Sequence, residues 1–361
     1  MVRPTIKDVA QAAGVSIATV DRVVNNRGGV SMRKHALVAR AIAELNYVRD
    51  LSAANLSRKR NYRLMFVLPE GDNAFFSTLR NLVRAKEPEA ALLRTVLELR
   101  LVPGFDSDAL VEEIDQIDAS RIDGVAIVAT ESQVVRDAIR RLIQRGVQVL
   151  TLVSDLPSSG RHGYVGIDNV AAGRTAARFM GRYLSRTGGK VAVLAGSMIA
   201  RDHLERRLGF DQIMREDFPH VDVMPSVETL DDRNHVERLV SEALRNEDLA
   251  GIYNIGAGNQ GLIEAVANVT FEHRPVTIAH DLLQVTRQGV EAGLIDIVID
   301  QAPEREITTA IELLRALSDG QAISEARAAI GIGVYVRDNL PQPGEISAPQ
   351  PAEPLVRVGE T

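Results

Sequence analysis

The 361-residue sequence contains no cysteine and no tryptophan, and only 4% of its residues are aromatic. The absence of cysteine excludes disulfide bonds and thiolate metal sites, and it is compatible with a reducing cytoplasm. Hydrophobic residues make up 45% of the chain and are mostly aliphatic. This composition favours helices packed through Ala, Val, Leu and Ile onto parallel sheets. A chain of this length is expected to form two or three domains.

Long hydrophobic runs are also absent. The first thirty residues hold no apolar run of signal-peptide length. No later stretch reaches the roughly eighteen apolar residues that a membrane-spanning helix needs. The sequence therefore predicts a cytoplasmic protein without membrane contact. Since His-x-x-x-His pairs are lacking as well as cysteines, we expect no metal site, and no cofactor is predicted.

Charge is unevenly distributed along the chain, whose formal net charge is −6. Residues 1–60 contain eleven Lys/Arg and four Asp/Glu, a balance of +7. Residues 61–361 hold the remaining 31 basic and 44 acidic residues, a balance of −13. A basic module on an acidic body suggests a polyanionic partner for the module alone. Charge by itself leaves a solvated basic face as the alternative.

Three short helices are predicted near the N-terminus. Thr5 and Asp8 form a variant capping box, and the helix "IKDVAQAA" ends at Gly14. Ser16 caps a second helix, "IATVDRVV", and Ser31 caps a third, "MRKHALVARAIAELNY". Because only "GVS" separates the first two, the pattern predicts a helix-turn-helix.

From residue 61 onward, apolar strand-like runs alternate with amphipathic helices. This alternation predicts an α/β fold with parallel sheets covered on both faces, in two lobes. The predicted strands lie within residues 61–69, 125–129, 147–154, 164–168, 190–196, 251–256, 276–281 and 295–300. Five of the fourteen prolines fall between residues 341 and 354, so we expect 341–361 to be an extended or disordered tail.

The segment "TIKDVAQAAGVSIATVDRVVNNRGGVS", followed by "AIAELNYVRD" and "AANLSRKR", closely resembles the N-terminal part of the LacI/GalR family of transcription regulators. The resemblance continues to about residue 337 through a body similar to periplasmic sugar-binding proteins. It implies a helix-turn-helix domain at 1–48, a hinge helix at 49–60 and a two-lobed α/β sensor at 61–340. The first lobe is expected at about 61–165 and 302–322, and the second at about 166–301 and 323–340.

The second helix is the expected recognition helix for double-stranded DNA. Ile17 and Ala18, at its exposed start, suit contact with thymine methyl groups, and Arg22 suits a bidentate contact with guanine. Ser16 and Ser31 are expected to cap helices whatever else they contact. Asp21 departs from the small hydroxyl residue common in the family, so the operator sequence is not predicted. The other residues expected to contact DNA are Thr5, Ser16, Thr19, Asn25 and Ser31.

Residues 49–60 match the family's hinge helix, which implies a homodimer on a pseudo-palindromic operator. Leu56 occupies the position of a leucine wedge in the minor groove, and Ala53 is small enough for two hinge helices to approach. An ordinary linker leucine is the alternative, although the adjacent "RKR" favours the wedge. The tail lacks a heptad pattern, which argues against a coiled-coil tetramer.

A carbohydrate-like effector needs carboxylates, amides, an arginine and an aromatic face, and such residues follow the predicted strands. Asp168 is equally suited to cap the helix that begins near residue 170. Phe75 and Phe76 could instead belong to the core, and His203 and His280 are read as structural. The candidate ligand-binding residues are Asn73, Phe76, Asp155, Asp168, Arg201, Arg206, Asn254, Asp281 and Gln301.

Gly256, Gly258 and Gly261 have the G-x-G-x-x-G spacing of a dinucleotide fingerprint. Asp281 ends the next predicted strand, and only one clear strand, 295–300, follows it. No catalytic acid, base or nucleophile is evident nearby, so we do not expect an enzyme. The sequence predicts a repressor whose operator affinity is controlled by a sugar, polyol or sugar acid bound between two lobes. A nucleobase or phosphorylated metabolite acting as co-repressor, and a solute-binding protein without regulatory role, remain alternatives.

Overall fold

The computed structural model describes residues 4–24, 29–45, 60–184, 188–246, 249–270 and 272–342. The chain divides into two units, Met1–Arg60 and Asn61–Thr361. The predictions for Asn25, Ala53 and Leu56 lie outside the described residues, as do those for most of the hinge at 49–60 and for the tail beyond residue 342. The side chain of Asp21 is also outside the description.

Residues 4–24 and 29–45 of the first unit contain three helices, α1 (Ile6–Ala13), α2 (Ile17–Val24) and α3 (Met32–Glu44). The Asp8 carboxylate accepts hydrogen bonds from the backbone N–H of Thr5 at 2.7 Å and from its hydroxyl at 2.8 Å. These bonds lower the pKa of Asp8. Gly14 ends α1 with a φ of 61°, a left-handed conformation that glycine adopts readily. The helices pack through the buried side chains of Val9, Ala10, Ala13, Val20, Val23, Val38 and Ala41.

The second unit alternates strands and helices. Its strands are β1 (Tyr62–Pro69), β2 (Thr95–Val102), β3 (Gly124–Ile127), β4 (Gln148–Leu152), β5 (Gly163–Ile167), β6 (Gly189–Ala195), β7 (Val221–Glu228), β8 (Leu249–Asn254), β9 (Val276–His280), β10 (Ile297–Asp300), β11 (Ala329–Ile330) and β12 (Gly333–Tyr335). Its helices are α4 (Ala74–Leu92), α5 (Ser107–Gln116), α6 (Gln133–Gln144), α7 (Asn169–Tyr183), α8 (Arg201–Asp217), α9 (Arg233–Asn246), α10 (Asn259–Ala267), α11 (Gln284–Glu291), α12 (Pro303–Ser318) and α13 (Glu325–Ala328).

The strands form two six-stranded sheets, in the orders β11-β5-β4-β3-β1-β2 and β12-β10-β9-β8-β6-β7. All neighbouring strands are parallel except β10 and β12, which are antiparallel. We call the first sheet with α4, α5, α6, α12 and α13 the first lobe, and the second sheet with α7 to α11 the second lobe. The chain crosses between the lobes after β5, after β10 and after β11.

The lobe boundary near the C-terminus differs from the expected one. Residues 323–340 were expected in the second lobe, but β11 extends the first sheet by pairing Ala329 with Gly166 and Ile330 with Ile167. The chain therefore enters the second lobe only after Ile330. The same pairing keeps all of β5, including residues 166 and 167, in the first lobe.

The strands β2 and β7 are missing from the sequence-based prediction for a common reason. Each is the edge strand of its sheet, and each leaves many of its side chains exposed. Their sequences, "TVLELRLV" and "VDVMPSVE", therefore lack the continuous apolar run that marks the buried central strands.

Helices cover the first sheet on both faces. In β1, Leu64 and Phe66 pack in the same core as Phe75 of α4, whereas Met65 and Val67 pack with residues of α5 and α6. This alternation follows from the two-residue period of a strand. Within the described part of the chain, no helix is both long and apolar enough to cross a membrane.

Candidate functional site

A cavity of about 760 Å³ lies between the two lobes. Its lining comes from the segments that follow β1, β2, β3 and β4 in the first lobe, and β6, β7, β8 and β9 in the second. Ligands of open α/β sheets bind at these carboxyl ends of the strands, and the volume is typical of a small-molecule site.

The first-lobe wall of the cavity includes Asn73, Phe75, Phe76, Phe105 and Thr130. The Asn73 side-chain oxygen accepts hydrogen bonds from the backbone N–H groups of Phe75 at 3.0 Å and Phe76 at 3.1 Å. These bonds cap the start of α4 and hold Asn73 at the cavity. The wall therefore offers aromatic faces and neutral polar groups, and its acidic residues, Glu70, Asp72 and Asp106, are exposed.

The second-lobe wall is acidic, with Asp202, Asp231 and Asp281 in its lining. Asp281 is 5% exposed, and its Oδ1 accepts a hydrogen bond from Nε2 of Gln301 at 2.7 Å. Burial raises the pKa of Asp281 to about 7, although the Arg206 guanidinium acts in the opposite direction. The Asp281 carboxyl group therefore titrates near neutral pH.

Arg206 lies behind this wall and is 2% exposed. Its guanidinium donates hydrogen bonds to Oδ1 of Asn169 at 2.9 Å, to the carbonyl of Ile255 at 2.9 Å and to Oε1 of Gln301 at 3.2 Å. Gln301 thus links Arg206 to Asp281. This network fixes the acidic wall from behind.

The close approach of α7 and α8 places Arg206 in that network. A Cβ added to Gly173 would lie 1.9 Å from the carbonyl oxygen of Arg206, and one added to Gly209 would lie 2.1 Å from that of Val170. Only glycine at these two positions allows the helix backbones to come so near. The geometry of the wall therefore depends on residues outside the cavity.

Asp231 joins the two lobes directly. Its carboxylate accepts hydrogen bonds from Nδ2 of Asn73 at 2.8 Å and from the backbone N–H of Ala257 at 2.8 Å. A Cβ on Gly196 or Gly256 would lie within 2.5 Å of its Oδ1. Gly256 therefore makes room for a carboxylate, which accounts for it without a bound dinucleotide.

A second contact between the lobes lies away from the cavity lining. Nη1 of Arg201 in the second lobe lies 3.0 Å from Glu131 in the first. The backbone N–H of Glu131 also donates to the carbonyl of Ile199 at 2.9 Å. The lobes are therefore held together on this side by charge and by backbone hydrogen bonding.

Several residues around the cavity have strained backbones. Non-glycine residues with positive φ include Phe105, Val153, Leu230, Asp231 and Asp281, and all five line the cavity. Val153, with a φ of 65°, is β-branched and so disfavours this conformation strongly. Strained backbone conformations of this kind cluster at active sites and ligand-binding sites.

Glu306, in the first turn of α12, lies next to a crossover between the lobes and is fully buried. Neither of its carboxyl oxygens has a hydrogen-bond partner within the described part of the chain. Burial, together with the Asp281 and Asp300 carboxylates, raises the pKa of Glu306 well above its usual range. This environment favours the protonated acid.

In the first unit, the start of α2 forms an exposed face. Ile17 is 46% exposed, and Ala18 and Arg22 are also exposed. The backbone N–H of Thr19 donates to the Ser16 hydroxyl at 3.2 Å, so Ser16 caps α2. Ser31 has the same role for α3, with its hydroxyl 3.5 Å from the backbone nitrogen of Lys34.

Two family models match this chain. Residues 5–50 match the bacterial regulatory proteins of the lacI family, and residues 64–322 match the periplasmic binding protein domain. The chain is a member of the LacI family with a periplasmic binding protein domain.

The chain is similar to curated proteins that are named as transcription regulators. The transcriptional regulator DegA of Bacillus subtilis is 28% identical over 216 residues, which are 59% of this chain and 61% of DegA. The ribose operon repressor of the same species is 31% identical over 164 residues, 45% of this chain and 48% of the repressor. The matched parts thus span less than two thirds of either relative.

Among solved structures, a solute-binding protein of Burkholderia graminis in complex with D-arabinose is 25% identical and has a TM-score of 0.70. The match covers 78% of this chain and 96% of that protein. It extends over most of the second unit's length and agrees with the two-lobed parallel architecture.

In this LacI-family chain, the structure brings Asn73, Phe76 and Asp281 into the cavity lining. It places Gln301 and Arg206 behind Asp281, where Gln301 donates a hydrogen bond to Asp281 and accepts one from Arg206. These five candidates therefore lie in one connected region. Within the described residues, no cluster of His, Asp and Glu has the spacing of a metal site.

Four other candidates do not reach the lining, and each has a structural partner instead. Asp155 forms an ion pair with Arg161 and accepts a hydrogen bond from the Thr151 hydroxyl at 2.6 Å. Asp168 caps α7 by accepting a hydrogen bond from the backbone N–H of Ala171 at 2.9 Å. A capping role was the alternative to ligand binding for this residue. The other two are Arg201, which pairs with Glu131 and Glu205, and Asn254, which donates to Asn259 at 2.8 Å.

Three residues of the cavity lining, Phe105, Asp231 and Asp202, were not predicted from the sequence. A feature of the sequence explains each omission. Phe105 follows β2 and Asp231 follows β7, so each was lost with its unrecognised edge strand. Asp202 precedes Arg206 by four residues on α8, which places both on one helix face. That spacing was available in the motif "RDHLERRLGF".

Proposed function

We propose that this chain is a transcriptional repressor that binds DNA through its first unit and a carbohydrate-like effector in the cavity of its second. The match of residues 5–50 to the lacI family, on a unit whose α2 presents an exposed polar and apolar face, carries the proposal. The proposed activity is binding and not catalysis.

The exposed side chains of α2 support DNA recognition. Ile17 and Ala18 offer apolar contact to thymine methyl groups, and Arg22 offers paired donors to guanine. The balance of +7 over residues 1–60 supplies attraction to phosphate. Thr5, Ser16, Thr19 and Ser31 remain proposed DNA contacts alongside their roles near helix starts.

The chemistry of the cavity supports a carbohydrate-like effector. Carboxylates at Asp202 and Asp281 can accept hydrogen bonds from hydroxyl groups, and Phe76 can cover the C–H face of a sugar ring. The names of the relatives point the same way, since one is a ribose operon repressor and one solved structure holds D-arabinose.

Control of DNA binding by the effector requires two states of the protein. The contacts from Asn73 to Asp231 and from Arg201 to Glu131 are made across the cleft, so an effector that favours or opposes them shifts the lobes. We propose a cytoplasmic homodimer that presents two DNA-binding units to a pseudo-palindrome. The hinge at 49–60, with Leu56 as a minor-groove wedge, remains part of this proposal.

The test is selection of binding sites from random duplex DNA with the full-length chain, followed by affinity measurement on the selected sequence. We expect a palindromic consensus bound with strong salt dependence. Arg22→Ala should weaken binding to the consensus by about 5- to 150-fold, the range for losing one bidentate base contact. Binding to unrelated DNA should change little.

Arg40→Ala provides the matched control, because Arg40 lies on α3 and pairs with Glu44 at 2.7 Å. Its consensus affinity should stay within about twofold of the parent, since a single exposed ion pair contributes little. Failure to select any consensus, or equal losses for both variants, would reject the proposal.

A further inference from the structure

The cavity holds many more acidic than basic side chains. Besides Asp202, Asp231 and Asp281, its rim carries Glu70, Asp72, Asp106 and Asp232. Within the described lining, Arg233 is the one Lys or Arg, and its guanidinium donates to Glu264 at 3.0 Å. The rim therefore attracts cations and repels anions on approach.

Asp202 is a buried residue whose carboxylate lacks a hydrogen-bond donor in the described part of the chain. The residue is 6% exposed and its side chain 9% exposed, and it lines the cavity. Its carboxylate accepts no hydrogen bond in the described part of the chain. The nearest basic side chains are His203, with Nε2 at 3.6 Å, and Arg206, with Nη2 at 3.9 Å, and both are beyond hydrogen-bonding distance.

The guanidinium behind the wall lies at ion-pair distance from this carboxylate but makes no hydrogen bond to it. Each of its three nitrogens donates to a neutral acceptor, on Asn169, Ile255 or Gln301. Asp202 and Asp281 therefore share the charge of one guanidinium that donates a hydrogen bond to neither. A ligand with N–H or O–H donors would supply the hydrogen bonds that the Asp202 carboxylate lacks.

The opposite wall suits the carbon skeleton of such a ligand. Phe75 and Phe76 meet edge to face with ring centroids 5.6 Å apart, and Phe105 lies 6.3 Å from the ring of His203 across the cavity. Aromatic faces attract ammonium groups and cover C–H surfaces. The cavity thus combines a negative wall with an aromatic one.

We propose that the effector is a polyhydroxylated amine, such as an amino sugar, whose ammonium group binds Asp202 and Asp281 while its carbon face lies on Phe76. This inference rests on the proposed function and narrows its effector class. It excludes sugar acids and phosphorylated metabolites, because either would bring a negative charge to two buried carboxylates.

The test compares three forms of one carbon skeleton by thermal unfolding of the full-length chain. The probes are D-glucosamine, D-glucose and D-gluconate, with the corresponding galactose and mannose series. We expect the amine in at least one series to raise the unfolding temperature by about 4 °C or more at a concentration far above its dissociation constant. The neutral form should give a smaller shift and the acid none.

Asp202→Asn, which keeps the shape and removes the charge, should reduce the amine's shift to that of the neutral form. Asp217→Asn, at an exposed ion pair with Arg178, should leave the shift unchanged. The inference is overturned if no amine stabilises the protein, or if the neutral or acid form does so equally well. A neutral sugar as the strongest ligand would reject the amine but keep the repressor, whereas failed site selection would reject the repressor itself.

Discussion

The two walls of the cavity differ in chemistry although both follow from strand ends of parallel sheets. The first lobe contributes Asn73 and aromatic rings such as Phe76, and its carboxylates at the cavity, Glu70, Asp72 and Asp106, are exposed. The second lobe contributes the buried carboxylates Asp202 and Asp281, with Arg206 and Gln301 behind them. The difference indicates that the second lobe determines the charge that a ligand meets inside the cavity, whereas the first lobe provides a surface for its carbon skeleton.

The walls also differ in how they are held. Asn73 is fixed by two hydrogen bonds from its own helix start, an arrangement that needs only local sequence. Asp281 is fixed through Gln301 and Arg206, which come from distant parts of the chain. The acidic wall therefore depends on tertiary packing, and substitutions there should have the larger effects on stability.

Replacement of Arg206 should give the largest effect. Arg206→Met leaves three buried acceptors without a donor and removes the guanidinium whose charge acts on Asp202 and Asp281. We expect the free energy of unfolding to fall by about 3–5 kcal/mol, measured by urea denaturation. Arg178→Met, at an exposed pair with Asp217, should cost less than about 1 kcal/mol. Equal losses in the two variants would show that the acidic wall needs no supporting cation.

Neutralising Asp202 should have a smaller effect of opposite sign. Because Asp202 and Asp281 share the charge of one guanidinium and the Asp202 carboxylate accepts no hydrogen bond in the described part of the chain, Asp202→Asn should raise the free energy of unfolding by about 1–3 kcal/mol in urea denaturation. Asp155→Asn should lower it, since Asp155 is paired with Arg161. A destabilised Asp202→Asn protein would mean that the carboxylate has a stabilising partner in solution.

The titration of Asp281 should make the free energy of unfolding depend on pH. Its pKa is about 7 in the folded protein against an ordinary value of 3.8, so the folded state binds more protons between these values. The parent should therefore lose stability, relative to Asp281→Asn, as pH rises from about 4 to about 7. The slope should not exceed about 1.4 kcal/mol per pH unit, and the difference should become constant above about pH 8, where Asp281 is ionised in both the folded and the unfolded state.

Urea denaturation of both proteins at several pH values measures this difference. Asp300 and Glu306 also have pKa values raised by burial, but both remain in the variant and contribute to both curves. Parallel pH curves for the two proteins would contradict an abnormal pKa for Asp281.

The sequence predicts those features that repeat locally and misses those that depend on packing at a distance. The central strands and the helix caps at Ser16 and Asp168 follow from short patterns. Edge strands β2 and β7 are half-exposed and lack such a pattern, so their loops, with Phe105 and Asp231, went unrecognised.

Asp155 and Asp281 illustrate why site residues are harder to predict than strands. Each follows an apolar strand, and the sequence gives both the same interpretation. Arg161, six residues further on, reaches Asp155 and neutralises it, whereas the nearest arginine to Asp281 bonds to other groups. Only the folded structure shows which carboxyl group has an ion-pair partner of its own and which faces the cavity without one.

The most direct test of the account is the dissociation constant of the full-length protein for its selected operator, measured by fluorescence anisotropy with and without a saturating cavity ligand. The account predicts a change of at least about fivefold, in either direction, for the parent and no change for a variant that no longer binds the ligand. An unchanged dissociation constant while the ligand demonstrably occupies the cavity would contradict it.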